Sequence, residues 1–266
     1  MRKPKFTRIE FKERLYSRRY LVPNAVTLAN MFCGFICLIY ASSDRFDKAA
    51  LAIGIAILLD GLDGRVARRL NATSKFGVEF DSFSDLVSFG VAPAFLMYQW
   101  CFKVPADEIG VSITFAYVLC AAARLARFNI ASDNLRSFTG LPTPGAAGVV
   151  AAIVNFAPSI TPSLYITSVC GVLMLSLAAL MVSRIEFLSI KTLKLGPQRL
   201  LPMLTLGAMI ALIWYNTHLG FLLLAASYAL SGPFNALLRR GREKGARRQH
   251  TAKQQGAKQQ DVKYKY

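Results

Sequence analysis

Residues 60–85 read DGLDGRVARRLNATSKFGVEFDSFSD and contain four aspartates, Asp60, Asp63, Asp81 and Asp85. Apolar runs flank them, AALAIGIAILL before and LVSFGVAPAFLMYQW after. Carboxylates at membrane depth are costly, rare and usually functional. Bound hard cations remove that cost. Mg²⁺ or Mn²⁺ takes carboxylate oxygens, keeps several waters and shares substrate phosphates. Four aspartates suit two such ions.

The spacing says how they converge. On a helix over 48–70, Asp60, Asp63, Gly64, Ala67 and Arg68 share one face about 140° wide at 100° per residue. Gly77, Asp81 and Asp85 follow at four-residue intervals on the next helix. The link between them is short, so the two helices are antiparallel neighbours with acidic faces able to meet. Gly64 and Ala67 remove bulk where a substrate approaches backbone. Arg65 and Arg68 can meet phosphate oxygens. Each residue alone has a simpler explanation. Asp60 or Asp63 can pair with Arg65 or Arg68, and Gly64 and Ala67 can be small helix-packing residues. The joint pattern D-x₂-D-G-x₂-A-R-x₈-G-x₃-D-x₃-D is harder to obtain by packing. A cation or proton path would also use intramembrane acids, but the small residues beside them favour a bulky ligand.

The elements that position these residues are read from hydropathy. The chain has 266 residues and is 54% hydrophobic, with a mean hydropathy of +0.37. That composition predicts an all-α, polytopic integral membrane bundle. Apolar segments lie near 23–42, 48–68, 80–102, 109–131, 143–160, 163–183, 201–216 and 218–238. Each is long enough, at about 20 residues, to cross a hydrocarbon core of about 30 Å. About eight spans put both termini on one side. The first run lacks a cleavage site and is expected to remain as a span. The net charge of +17 is no sign of nucleic acid, because 29 of the 32 Lys and Arg residues fall on one predicted side. That asymmetry marks the side as cytoplasmic, with the aspartates near it, in a cell (inner) membrane protein.

Residues 1–20 form a basic arm, either an interfacial helix on anionic membrane lipids or a solvated flank. Residues 21–238 form the membrane domain, and 239–266 read as a disordered basic tail. Cys33, Cys37, Cys101, Cys120 and Cys170 all fall in spans and read as buried thiols. Arg124, Arg127 and Asn129 cluster at the cytoplasmic end of the fourth span. They suit an acceptor carrying a carboxylate, although the arginines also suit topology anchors.

The aspartate pattern resembles the signature of the CDP-alcohol phosphatidyltransferase family at every specified position. The resemblance implies transfer from a CDP-activated lipid to an acceptor hydroxyl, with release of CMP. It implies metal on Asp60, Asp63, Asp81 and Asp85, with Asp85 also the catalytic base. It implies CDP-diacylglycerol contacts at Pro23, Asn24, Ala25, Val26, Thr27, Gly64, Ala67, Arg68 and Ser74, and a homodimer. FDSFSDLVSFGVAPAFLMY, RLARFN, FTGLPTPGAAG and MVSRIEF resemble the phosphatidylserine synthase branch. The acceptor so implied is L-serine, for which Arg124, Arg127 and Asn129 are the contacts that position and residue type suggest. Glycerol phosphate, inositol phosphate and choline are the alternative acceptors.

Overall fold

The computed structural model describes residues 8–69, 74–104, 106–130 and 140–183, the side chains of 8–22, 67 and 68 excepted. Their order is α1 (Arg8–Ser42), α2 (Phe46–Arg69), α3 (Lys75–Asp85), a π-helical stretch Leu86–Val91, α4 (Ala92–Met97), a second π-helical stretch Tyr98–Phe102, α5 (Asp107–Ile130), α6 (Thr143–Phe156) and α7 (Leu164–Val182). Every described element is helical, and three helices carry stretches long and apolar enough to cross a membrane: Pro23–Ser42, Asp107–Ile130 and Leu164–Val182. Spans seven and eight, the tail, and most of the MVSRIEF stretch lie outside the described residues.

The helix surfaces explain why such a chain needs lipid. Leu28, Phe32, Phe35 and Ile39 on α1 are exposed, as are Leu51, Ile55, Leu58 and Leu62 on α2. Both sets recur at four- and three-residue intervals, one stripe per helix. The buried positions are small: Cys37 and Ala41 on α1 and Ala49, Ala52 and Ala56 on α2, with Cys37 Sγ 3.9 Å from Ala92 O on α4. An apolar exterior around a small-residue interior is the packing of membrane helices, where close backbone approach replaces the hydrophobic effect.

α1 and α2 form a tight antiparallel hairpin and pack extensively. Its turn passes through Asp44, at a φ of 56°. Arg45 N donates back to Tyr40 O at 2.9 Å, closing the end of α1. After the second link, α3 starts at Ser74, whose hydroxyl accepts from Gly77 N at 2.9 Å. This N-cap satisfies one of the donors a helix start leaves open. The sequence reading put this span at 80–102; the cap moves its start to Lys75.

From Lys75 to Phe102 the backbone stays helical through two widened stretches. Pro93 supplies one reason. It has no N–H to give the carbonyl four residues earlier, which belongs to Phe89. That carbonyl accepts from the Tyr117 hydroxyl at 3.2 Å instead. Tyr117 and Phe89 are both fully buried. Tyr117→Phe should therefore remove this bond to a buried carbonyl and cost about 1–3 kcal/mol. Unfolding of the purified protein in detergent would measure it, and an unchanged midpoint would mean that Phe89 O has another partner.

The fifth predicted span, 143–160, is a shorter helix ending at Phe156. Ala157 precedes Pro158, and a residue before proline is pushed out of the α region; its φ is −137°. The remaining 14 residues are about 21 Å long at 1.5 Å each, short of a full crossing. α6 packs on α2, and α5 packs on α7. The segment before α6 is seated on the end of α7. Leu141 N donates to Leu180 O at 3.0 Å. Gly140 has a φ of +85°, and a Cβ there would stand 2.4 Å from Met181 O. Glycine is required at that turn for both reasons.

Candidate metal and phosphoryl-transfer site

Asp60 and Asp63 come from α2, and Asp81 and Asp85 from α3. One carboxylate oxygen each of Asp60, Asp63 and Asp81 lies within 4.8 Å of the others. Asp85 stands beside this trio, its side chain against that of Asp60. Asp63 is only 5% exposed, and Asp81 Oδ1 is buried without a protein hydrogen-bond partner. Three carboxylates this close repel unless protonated or bridged by cations. Hard oxygen donors, mutual proximity and a partnerless buried oxygen fit a divalent cation of the Mg²⁺ or Mn²⁺ type.

α1 completes the site. Thr27 Oγ1 lies 3.3 Å from Asp63 Oδ2 and 3.2 Å from Pro23 O. Asn30 Nδ2 reaches Asp85 Oδ1 at 3.5 Å. These side chains are held in register from behind. Ser84 Oγ donates to Thr27 O at 3.0 Å and Ser88 Oγ to Asn30 O at 2.9 Å. Gly34 allows that approach, since a Cβ there would come within 2.7 Å of Ser88 Oγ. At the start of α3, a Cβ on Gly77 would lie 3.1 Å from Ser74 Oγ and 3.4 Å from Asn24 Oδ1. Asn24, Ser74 and Gly77 thus adjoin one another, and Ser74, Lys75, Val78 and Glu79 line an open groove there.

The other residues singled out from sequence are placed as follows. Pro23 is buried, Val26 half-buried and Ala25 exposed. Gly64 is half-buried on α2. Ala67 and Arg68 occupy its final turn, with side chains outside the described set. Arg124 is half-buried on α5. Arg127 Nη1 donates to Val182 O at 3.2 Å, the favourable place for a cation at the C-terminus of α7. Asn129 Nδ2 donates to Ser82 Oγ at 2.9 Å and lies 3.4 Å from Glu79 Oε2, tying α5 to α3.

Asn30, Ser84 and Ser88 were not singled out from the sequence. Their signal was legible: polar residues at helical spacing inside apolar spans are expensive and therefore informative.

The family model described as CDP-alcohol phosphatidyltransferase matches residues 20–182. A Helicobacter pylori (strain ATCC 700392 / 26695) protein named CDP-diacylglycerol--serine O-phosphatidyltransferase is 40% identical over 183 residues, covering 66% of this chain and 75% of the relative. A Bacillus subtilis (strain 168) protein of the same name is 38% identical, covering 62% of this chain and 89% of the relative. A Methanothermobacter thermautotrophicus (strain ATCC 29096 / DSM 1053 / JCM 10044 / NBRC 100330 / Delta H) protein named archaetidylserine synthase is 32% identical, covering 62% and 69%.

Proposed function

This chain belongs to the CDP-alcohol phosphatidyltransferase family, and on that premise we propose that it moves a phosphatidyl group from CDP-diacylglycerol to the hydroxyl of L-serine, giving phosphatidylserine and CMP. The observation that carries the chemistry is the trio Asp60, Asp63 and Asp81 with Asp85 at its side. The acceptor is supported by the names of the H. pylori and B. subtilis relatives.

Asp60, Asp63, Asp81 and Asp85 would hold divalent cations, Mg²⁺ or Mn²⁺ and two per site. Such ions, when bound, neutralise a diphosphate and stabilise its leaving group. Asp85 takes the proton of the serine hydroxyl as its oxygen bonds to the lipid-side phosphorus and the bond to CMP breaks. Thr27 keeps Asp63 in place. Asn24 and Ser74, with Gly64, Ala67 and Arg68 across the site, receive the CDP group, and Pro23, Ala25 and Val26 shape the adjoining turn of α1. Arg124, Arg127 and Asn129 are the candidates for the serine carboxylate, with Arg127 also reaching α7 and Asn129 also reaching α3. The excess of basic residues on one side supports an active site facing the cytoplasm in an eight-span cell membrane protein, with 1–20 and 239–266 as basic flanks; the homodimer rests on the family resemblance alone.

The deciding experiment incubates the purified protein with CDP-diacylglycerol, Mn²⁺ or Mg²⁺, and serine, glycerol phosphate, inositol phosphate or choline in turn. CMP release is expected with serine. Faster release with any other acceptor would replace the serine reading.

A further inference from the structure

We infer that Asn30 is a specificity-determining residue of this site: its side-chain oxygen receives the ammonium group of the amino-alcohol acceptor while its NH₂ group holds Asp85. The inference rests on the reading of serine as acceptor and adds to it the residue that senses the amine.

Asn30 has no exposed surface. Its Nδ2 faces Asp85 Oδ1 at 3.5 Å. An amide NH₂ donates and a carboxylate oxygen accepts, so this contact engages the NH₂ end of Asn30. That orientation leaves Oδ1 as an acceptor, and Oδ1 is buried with no partner. A buried acceptor without a donor is destabilising, so native structures rarely keep one without a use. The backbone at this position is held in place: the Asn30 carbonyl accepts from Ser88 Oγ, and Gly34, one helical turn further on, is in close contact with the same serine.

The chemistry of the groups meeting here selects the donor. The diphosphate of the lipid substrate offers only acceptors. Serine offers a hydroxyl and an ammonium on neighbouring carbons. The hydroxyl proton goes to Asp85, whose Oδ1 is contacted by the same amide group that carries Oδ1 of Asn30. An acceptor bound with its hydroxyl at Asp85 therefore brings its ammonium beside Asn30, where a neutral oxygen awaits a charged donor. A cation-bound water is the competing donor, and the test separates the two.

CMP release would be measured with serine and with 3-hydroxypropionate, which keeps the hydroxyl and carboxylate but lacks the amine. The parent, Asn30→Ala and, should that variant fail to fold, Asn30→Ser would be compared. Mn²⁺ binding would be followed by calorimetry in the same preparations. Both variants should raise the KM for serine about tenfold or more, from loss of a hydrogen bond to a charged group. The preference in kcat/KM for serine over 3-hydroxypropionate should shrink by a similar factor, with Mn²⁺ affinity unchanged. An unchanged preference overturns the inference. So does a fall in Mn²⁺ affinity at constant serine KM, which would assign Oδ1 to a cation-bound water. If the parent uses serine, either result sinks the role of Asn30 alone. A parent that releases no CMP with serine sinks the acceptor reading and this inference together.

Discussion

Asp85→Asn should lower CMP release by roughly 10²–10⁴-fold, the usual contribution of a positioned general base, while CDP-diacylglycerol still binds. Asparagine keeps the shape of aspartate but cannot take a proton at neutral pH. The geometry makes the variant informative. Asp85 stands beside the trio of Asp60, Asp63 and Asp81, so its loss leaves those three oxygens in place. Its contact with Asn30 can survive through the asparagine carbonyl. Turnover in purified, folded variant and binding of radiolabelled CDP-diacylglycerol are the two measurements. Near-normal turnover would remove Asp85 from the role of base. Loss of lipid binding together with turnover would mean that it acts chiefly by holding the cations.

Asp81→Asn should act through the cations, with a change of sign between two conditions. Asp81 Oδ1 is buried without a protein partner, and the residue sits within the close trio. In chelator, the substitution removes one of three crowded like charges, so the variant should unfold no more easily than the parent. In Mn²⁺ the order should reverse. A ligand present at 100 times its dissociation constant stabilises the folded state by about 2.7 kcal/mol, and the variant should lose most of that gain. Removing one partner from a buried charge contact costs about 3–5 kcal/mol, so Mn²⁺ affinity should fall roughly 100-fold or more. Thermal unfolding with and without Mn²⁺ would show this. An equal Mn²⁺-induced shift in both proteins would take Asp81 out of the cation site. A lower midpoint for the variant in chelator alone would make its role a structural hydrogen bond.

The sequence was most informative where chemistry and local geometry coincide. Asp60, Asp63, Asp81 and Asp85 could be placed on two facing helices from spacing alone, because a helix repeats every 3.6 residues and a short link forces neighbours to be antiparallel. The apolar segments matched to α1, α2, α5 and α7 were legible for a similar reason: a membrane accepts few sequences, and length sets the span. The end of α6 before Pro158 could have been read from the chain, since proline restricts its predecessor wherever it occurs, but the hydropathy reading ran the span on to 160.

Periodicity shows which residues share a face, but not which face of a distant helix they meet or at what height. Thr27 against Asp63 and Asn30 against Asp85 join positions 36 and 55 residues apart. Whether those side chains meet depends on the register of α1 against α2 and α3. That register is set by where Gly34 lets backbone approach Ser88 and where Ser84 finds Thr27 O. The same limit governed Arg127 and Asn129. As residue types they suit a substrate carboxylate, and helix packing also brings one to the Val182 carbonyl and the other to Ser82 and Glu79. A charged or amide side chain at a helix end bonds to whatever donor or acceptor the packing sets beside it. The composition of one segment does not contain that neighbour, and only the tertiary structure decided it.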